Sequence, residues 1–403
     1  MAQKSAPSTN MNSPAKHPFR SVLLREINRI RGQWIYIFSA IILPVVGFVL
    51  LTAIFQSGVA RELNIAVVDK DQSAFSREIR RAVNATSIAH IAETANSESS
   101  CYKMMQQGKI HAFVVLPERA SAKVLKSEEV PVALYVDNTN IVTGGLLTNG
   151  IRSAIASVSG KVKVSSYLQS GKNAEQARAL AQPIRINDHV LFNPFGSYAF
   201  FLLTGLLPLM LVVFVLLSSI HSLGTELKYG TAKPLLETAG GSIRIAVAGK
   251  LLPFSLIYLL HAFIMNYILF FYIGTPMNGN FTTIVISEFI LIIAYQMMAV
   301  FAIAITYNMR LSLSLASAYS MMALTFAGLT FPHIGMPAVA RWFSYIFPYR
   351  FWLEAFIGQA LRAEPIGVSM EALLLTSIFI LVGLLCLPLL KKRFTNERFY
   401  GKI

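Results

Sequence analysis

The chain has 403 residues, 54% of them hydrophobic and only 14% charged. A soluble domain carries about 25% charged residues, so the composition excludes an ordinary globular protein and points to a membrane. A formal net charge of +15 raises the question of nucleic acid, but no basic helix with interleaved aromatics goes with it, and no nucleic-acid partner is expected.

Residues 1–17 are polar, rich in Ser and Pro and without periodicity, which predicts a disordered tail. Over 18–33 the apolar residues Phe19, Val22, Leu23, Ile27 and Ile30 recur at helical spacing, with Arg20, Arg25, Glu26, Arg29 and Arg31 on the other face. This is the pattern of an interfacial amphipathic helix whose arginines face lipid headgroups. Six apolar runs follow that meet or nearly meet the roughly 20 residues a spanning helix needs. They are 34–55, 195–220, 251–273, 281–307, 311–331 and 372–390. The first is too long and too uniformly apolar for a signal peptide, and no small-residue cleavage site follows it, so it reads as a retained span.

The charge distribution sets the expected orientation. With the N-terminus inside, the inner segments 1–33, 221–250, 308–310 and 391–403 carry 16 Lys and Arg against 4 Asp and Glu. The large segment 57–194 on the other side carries 16 against 12. This bias is the positive-inside pattern, with both termini in the cytoplasm.

Segment 57–194 reads as a separate α/β module. Strands are expected at Leu63–Asp69, Ile110–Leu116 and Val130–Asp137, with a last one near Ile184–Phe192. Helices are expected near Ala74–Val83, Glu98–Gln107, Ser121–Lys126, Asn140–Gln169 and Ala174–Ala181. Asp69-x-Asp71-x-Ser73 opens like an EF-hand loop, but Ala74 and Arg80 stand where the loop needs Gly and Glu. Helix capping by Asp71 or Ser73 is the better reading. Cys101 falls in this module and Cys386 in the last run, so no disulfide or metal framework is expected.

Between the second and third spans lies LGTELKYGTAKPLLETAGGSIRIAVAGKLLPF, residues 223–254. A charged insert between spans belongs in water. Its leucines Leu223, Leu227, Leu235 and Leu236, interrupted by glycines and Pro234, predict two short helical pieces along the membrane surface. Further on, Glu288 is the only charged residue inside a run. It reads either as part of a translocation path, with Asn266 as a companion, or as a polar group near the outer interface. His261, Asn266 and Gln296 fit interhelical hydrogen bonds. The fifth run is dense in Ser, Ala and Gly, as in close helix–helix contacts. Residues 332–368 hold four prolines and amphipathic, aromatic-rich pieces. They read as a surface loop or as a re-entrant element, with Arg350 and Glu354 four apart and able to neutralise each other.

Glu226, Gly230, Thr231, Leu235–Leu236, Thr238 and Gly249–Lys250 resemble the signature loop of bacterial ABC exporter permeases, the ABC transmembrane type-2 domain family. The family pattern has a second acid near 228 and a proline near 240, where this chain has Lys228 and Gly240. VVDKDQSAFSREI resembles the opening of the large periplasmic domain in one subgroup, and FPYRFWLEA resembles an outer re-entrant element. The resemblance implies an α-helical membrane protein with six transmembrane helices, a periplasmic α/β insertion at 57–194 and a five-helix permease domain over 195–403, in a bacterial inner membrane. It further implies that a separate ABC ATPase presses on the coupling segment 221–245 through Glu226, Lys228, Gly230, Thr231, Leu235 and Leu236. Pro348, Tyr349, Arg350 and Glu354 would form the outer gate. A second permease chain and, in the subgroup, a periplasmic adaptor (a membrane-fusion protein) are implied as partners. The implied activity is export of a drug-like, lipid or other hydrophobic cargo.

No stretch reads Gly-x-x-x-x-Gly-Lys-Ser/Thr, so ATP hydrolysis falls to a partner. No cofactor or catalytic constellation is expected. The contrasting reading is an energy-independent, membrane-anchored binding or scaffold protein that works through its exported domain.

Overall fold

The computed structural model describes residues 17–126, 128–184, 189–194 and 196–401. The tail expected over 1–17 therefore lies, except for His17, outside the described residues. Contacts divide the chain into one unit formed by Met1–Gly58 with Val190–Ile403 and a second formed by Val59–His189.

In the first unit, helix α1 (Pro18–Gly32) starts on a proline, whose missing N–H costs nothing in a first turn, and buries Val22, Glu26 and Ile30. Helix α2 (Trp34–Phe55) follows, with a π-helical stretch at Phe38–Ile42. Returning from the second unit, the chain forms α8 (Tyr198–Lys228), the short α9 (Ala232–Thr238) and α10 (Ile243–Tyr272). Next come α11 (Phe281–Thr306), α12 (Met309–Phe326), α13 (Ala338–Ser344), α14 (Pro348–Ala360) and α15 (Ile366–Thr395). Ser197, Ser242, Asn280 and Asn308 cap α8, α10, α11 and α12 through side-chain oxygens that accept first-turn amides. Helix α11 is the hub, packed against α8, α10, α14 and α15. At Gly383 of α15 a methyl group would overlap the backbone of Met297, so α15 and α11 approach backbone to backbone.

Among the described residues, five helices are long and apolar enough to cross a membrane: α2, α8, α10, α11 and α15. The fifth expected span, 311–331, appears as α12, which is shorter and not among these five. Its serines and Arg310 dilute the apolar run. Helices α8 and α10 extend beyond the apolar runs, because their charged ends find partners inside the protein (below), and α15 also runs past its apolar stretch. Exposed Val46, Val49, Leu256, Leu260, Leu374 and Leu381 give these helices apolar outer faces, as a hydrocarbon solvent requires.

The second unit is a four-stranded sheet in the order β2-β1-β3-β4. Strands β1 (Leu63–Asp69), β2 (Ala89–Thr94) and β3 (Ala112–Leu116) run parallel, and β4 (Ala133–Val136) pairs antiparallel with β3. Helices α3 (Ala74–Asn84), α4 (Glu98–Gln106), α5 (Ala120–Leu125), α6 (Ile141–Gln169) and α7 (Ala174–Ala181) complete it. Alternation along β1 and β3 feeds two cores. Ile65, Val67 and Val114 meet Ile79, Val83, Leu147 and Ile151 on one face, while Ala66, Val68, Phe113 and Cys101 pack on the other. Cys101 is a buried free thiol, and burial pushes its pKa up.

Strand β2 was not expected, and the strand expected near 184–192 is not seen in the described part of that stretch. Residues 185–188 of that stretch lie outside the described residues, and the rest has no strand conformation. At the EF-hand-like turn, Asp69 Oδ1 accepts from the amides of Asp71 and Gln72, and Asp71 Oδ2 accepts from the Ser121 amide at 3.1 Å. Ser73 Oγ accepts from the Ser76 amide at 3.1 Å and caps α3. Ser73→Ala should therefore weaken that helix end by about 1 kcal/mol. Hydrogen–deuterium exchange on the intact protein is expected to show faster exchange at the start of α3 and no change in α6.

Candidate functional site

Sequence places five charged groups on three helices that meet at the ends of α8 and α10. Glu226 sits in the last turn of α8, Lys250 in the second turn of α10, and Arg25, Glu26 and Arg29 along α1. Lys250 Nζ donates to Glu26 Oε2 at 2.6 Å and to Glu226 Oε1 at 2.8 Å. Arg25 Nη2 donates to Glu226 Oε2 at 2.9 Å, and Arg29 pairs with the other oxygen of the same carboxylate. Ser222 Oγ donates to Glu26 Oε1 at 2.9 Å and Thr231 Oγ1 to Glu226 Oε2 at 2.5 Å. Glu226 and Lys250 are wholly buried and Glu26 is 1% exposed. Three cations face two carboxylates; Lys250, Glu26 and Glu226 are shielded from water, where each charge survives only because the others are in place, and the partly exposed Arg25 and Arg29 reach in from the rim.

This corrects two expectations. Glu26 does not lie on the polar face: it comes four residues after Val22 and four before Ile30, on the buried stripe of α1, and Arg25 and Arg29, expected at lipid headgroups, pair with Glu226. The first leucine pair also forms no separate surface helix, because Leu223 and Leu227 belong to α8 and are buried. A short helix is present only beyond Gly230. There α8 ends in a turn with Gly230 at φ +69°, and the Thr231 amide reaches back to the Glu226 carbonyl at 2.9 Å. Helix α9 then turns Leu235 and Leu236 inward and leaves Lys233, Pro234 and Glu237 exposed, beside exposed Tyr229. Lys228 Nζ lies 5.3 Å from the centre of the Tyr229 ring. The C-terminal segment packs here too: the Gly401 amide donates to the Leu227 carbonyl, and Lys233 is 3.5 Å from Glu397.

Away from this cluster, Asn266 Nδ2 donates to Glu288 Oε2 at 3.0 Å between α10 and α11. Glu288 is 1% exposed, so it is not a surface group of this chain. Glu288 Oε1 and Asn266 Oδ1 are buried without hydrogen-bond partners. His261 Nε2 lies 3.1 Å from the Ile41 carbonyl, which the π-helical stretch of α2 carries. Gln296 reaches the Leu251 carbonyl and Ser255. The three interhelical polar contacts expected from sequence are thus all present.

Helix α14 begins at Pro348 and is buried along most of its length. Tyr349 donates to the Gly205 carbonyl of α8, and Trp352 Nε1 donates to Ser287 Oγ at 3.0 Å. The end of α14 is strapped to the loop between α10 and α11, since the Asn278 amide donates to the Ala360 carbonyl at 2.8 Å. Arg350 and exposed Glu354 do not form the expected ion pair. The guanidinium lies over Tyr345 instead, 4.4 Å from the ring centre.

The profile of the ABC-2 family transporter protein matches residues 34–387. The chain belongs to that family. It is also similar to the probable multidrug ABC transporter permease YbhS of Escherichia coli strain K12, 21% identical over 366 residues, which cover 89% of this chain and 92% of that one. The same protein of Escherichia coli O157:H7 matches equally. The chain is therefore a multi-pass permease subunit of an ABC transporter, a transport subunit rather than an enzyme, working with an ABC ATPase in a lipid membrane.

Removing one member of the buried cluster should cost more than removing a balanced pair. Lys250→Met leaves two buried carboxylates short of a cation and should destabilise the permease by about 3–5 kcal/mol. Glu26→Gln combined with Lys250→Met should recover most of that. Thermal unfolding of the purified variants in one detergent checks the order.

Proposed function

We propose that the chain is one half of an ATP-driven exporter, and that the ATPase drives it through the exposed face of α9. The observation that supports this reading is the buried charge cluster directly beneath that helix. Helix α9 hangs between α8 and α10, and Glu226 and Lys250 tie those two helices to each other and to α1. A push on α9 then moves three helices as one body instead of melting a loop. Under this reading Glu226, Gly230, Thr231, Leu235 and Leu236 position α9, and Tyr229, Lys233, Pro234 and Glu237 meet the ATPase.

In the same proposal both termini, α9 and the charge cluster face the cytoplasm of a bacterial inner membrane, following the excess of Lys and Arg there. Helix α12 is the sixth span. Its exposed Leu311, Leu315 and Met321 suit a contact with lipid or with a second permease chain. The α/β unit 59–189 stands on the periplasmic side, where it handles cargo or an adaptor. The name of the Escherichia coli relative supports a drug-like, hydrophobic cargo. Glu288 and Asn266 border the path, and α14, with Pro348, Tyr349, Arg350 and Glu354, closes its outer end.

The double variant Lys233→Glu/Glu237→Lys alters only exposed side chains of α9. It is expected to keep expression and thermal stability while lowering ATP-dependent export and ATPase co-purification at least several-fold. A cysteine at position 237 should crosslink to the ATPase and not to periplasmic proteins. Unchanged export and no crosslink would remove the coupling role and return the energy-independent scaffold reading.

A further inference from the structure

Arg350 is 9% exposed, and its guanidinium makes no hydrogen bond and no ion pair among the described residues. It lies over the rings of Tyr345 and Phe351, 4.4 and 4.8 Å from their centres. Ring faces satisfy part of the charge but none of the in-plane N–H donors, and buried Nη1 is left without a partner. A buried cation whose donors stay empty is costly, so an anion is the natural complement.

The space for one is present. Arg350 borders a cavity of about 380 Å³ between the start of α8, the end of α12 and α14. The wall is largely apolar, with Phe201, Leu329, Leu353 and Ile357, and the polar lining includes Arg362, His333 and Glu354. Arg362 already has Glu364 at 3.7 Å. Burial, and then the nearby Arg350 charge, lower the His333 pKa, and its Nε2 sits 2.8 Å from Ser344 Oγ. Arg350 is thus the cation with unused capacity. On its other side lies a smaller cavity, about 230 Å³, bordered by Glu354, Glu364 and Glu371. These acids offset part of the charge from a distance, but none comes within ion-pair range of Arg350.

We propose that this cavity binds an amphiphile with an anionic head, the head on Arg350 and the apolar body along Phe201, Leu329, Leu353 and Ile357. Such chemistry has two sources, a resident anionic phospholipid or an exported anionic cargo. The site stands on the geometry where α8, α12 and α14 meet and does not depend on coupling through α9.

The test uses the full chain purified in neutral detergent without ATP or ATPase, so failure here leaves the coupling reading untouched. Binding is read by native mass spectrometry and by thermal shift. The probes are phosphatidylglycerol, phosphatidylcholine with the same acyl chains, dodecyl phosphate and inorganic phosphate. Phosphatidylglycerol is expected to bind at least about tenfold more tightly than phosphatidylcholine, as one charge-assisted contact supplies. Arg350→Gln should abolish that preference and Arg350→Lys should keep part of it. Arg341→Gln, at an exposed position, should leave it intact. Ala327 also lines the cavity, and Ala327→Phe, which fills it and leaves the charge, should also remove the preferred binding. Competition by dodecyl phosphate would assign the site to small anionic amphiphiles, and its failure beside bound phosphatidylglycerol would assign it to a bilayer lipid. Equal binding of the two phospholipids, an unchanged preference in both Arg350→Gln and Ala327→Phe, or inorganic phosphate binding as tightly as the amphiphiles would overturn the proposal.

Discussion

The permease unit depends on one constraint: Lys250 must keep both Glu26 and Glu226 while all three are out of water. A lone buried charge costs several kcal/mol, and mutual attraction repays that only when every partner is in position. The cluster therefore works less as a source of stability than as a lock on geometry. It fixes the end of α8, the start of α10 and the buried stripe of α1 in one register. It also explains how charged residues can lie within helices that the hydrocarbon would otherwise reject. Apolar composition drives α8 and α10 into the membrane, and the cluster settles where they stop.

Helix α8 extends that register along its length. Near its start the Gly205 carbonyl holds Tyr349 of α14, and near its end Glu226 holds Lys250, Arg25 and Arg29. At about 1.5 Å per residue these points lie roughly 30 Å apart, about the thickness of a hydrocarbon core. A rigid helix anchored by polar contacts at both ends carries displacement from one to the other. Pro208 lies one turn past Gly205 and removes a backbone hydrogen bond there, so bending is cheapest close to α14 and far from the charge cluster. Movement imposed at the α9 end would then emerge as a change of angle beside the buried aromatic helix.

Much of this was legible in the residues and some was not, for physical reasons. Long apolar runs and polar caps are local signals, so α2, α11, α6 and α7 fell close to their expected places. The parallel strands β1 and β3 were visible in their Val and Ile content. Strand β2 was not, because AHIAET lies at a sheet edge and is mostly exposed, leaving little apolar pattern to read. Glu26 was assigned to the wet side because charge normally goes there. Only its spacing from Val22 and Ile30 gave the opposite answer, and that spacing makes sense only once Lys250 is known to lie opposite. The same holds for Arg350, where the i,i+4 rule pointed to Glu354 and an aromatic stack prevailed. Pairings between residues some 200 positions apart leave no local trace.

The polar groups within the helical unit fall into two kinds, and the difference bears on function. Around Lys250 every oxygen of the two carboxylates is paired, and among the described residues the cluster's one buried group without a partner is Nη1 of Arg25, at the rim. Around Glu288 and Arg350 the valences are open: Glu288 Oε1, Asn266 Oδ1 and Arg350 Nη1 are all buried and all without partners. Groups of this kind weaken a static fold, and an apolar side chain of the same size would serve stability better. Their presence is intelligible if something else supplies the missing contacts for part of the time, whether a proton, a head group or a second chain. On the proposed reading, the paired carboxylates are where the machine is held, and the open groups are where it meets what it handles.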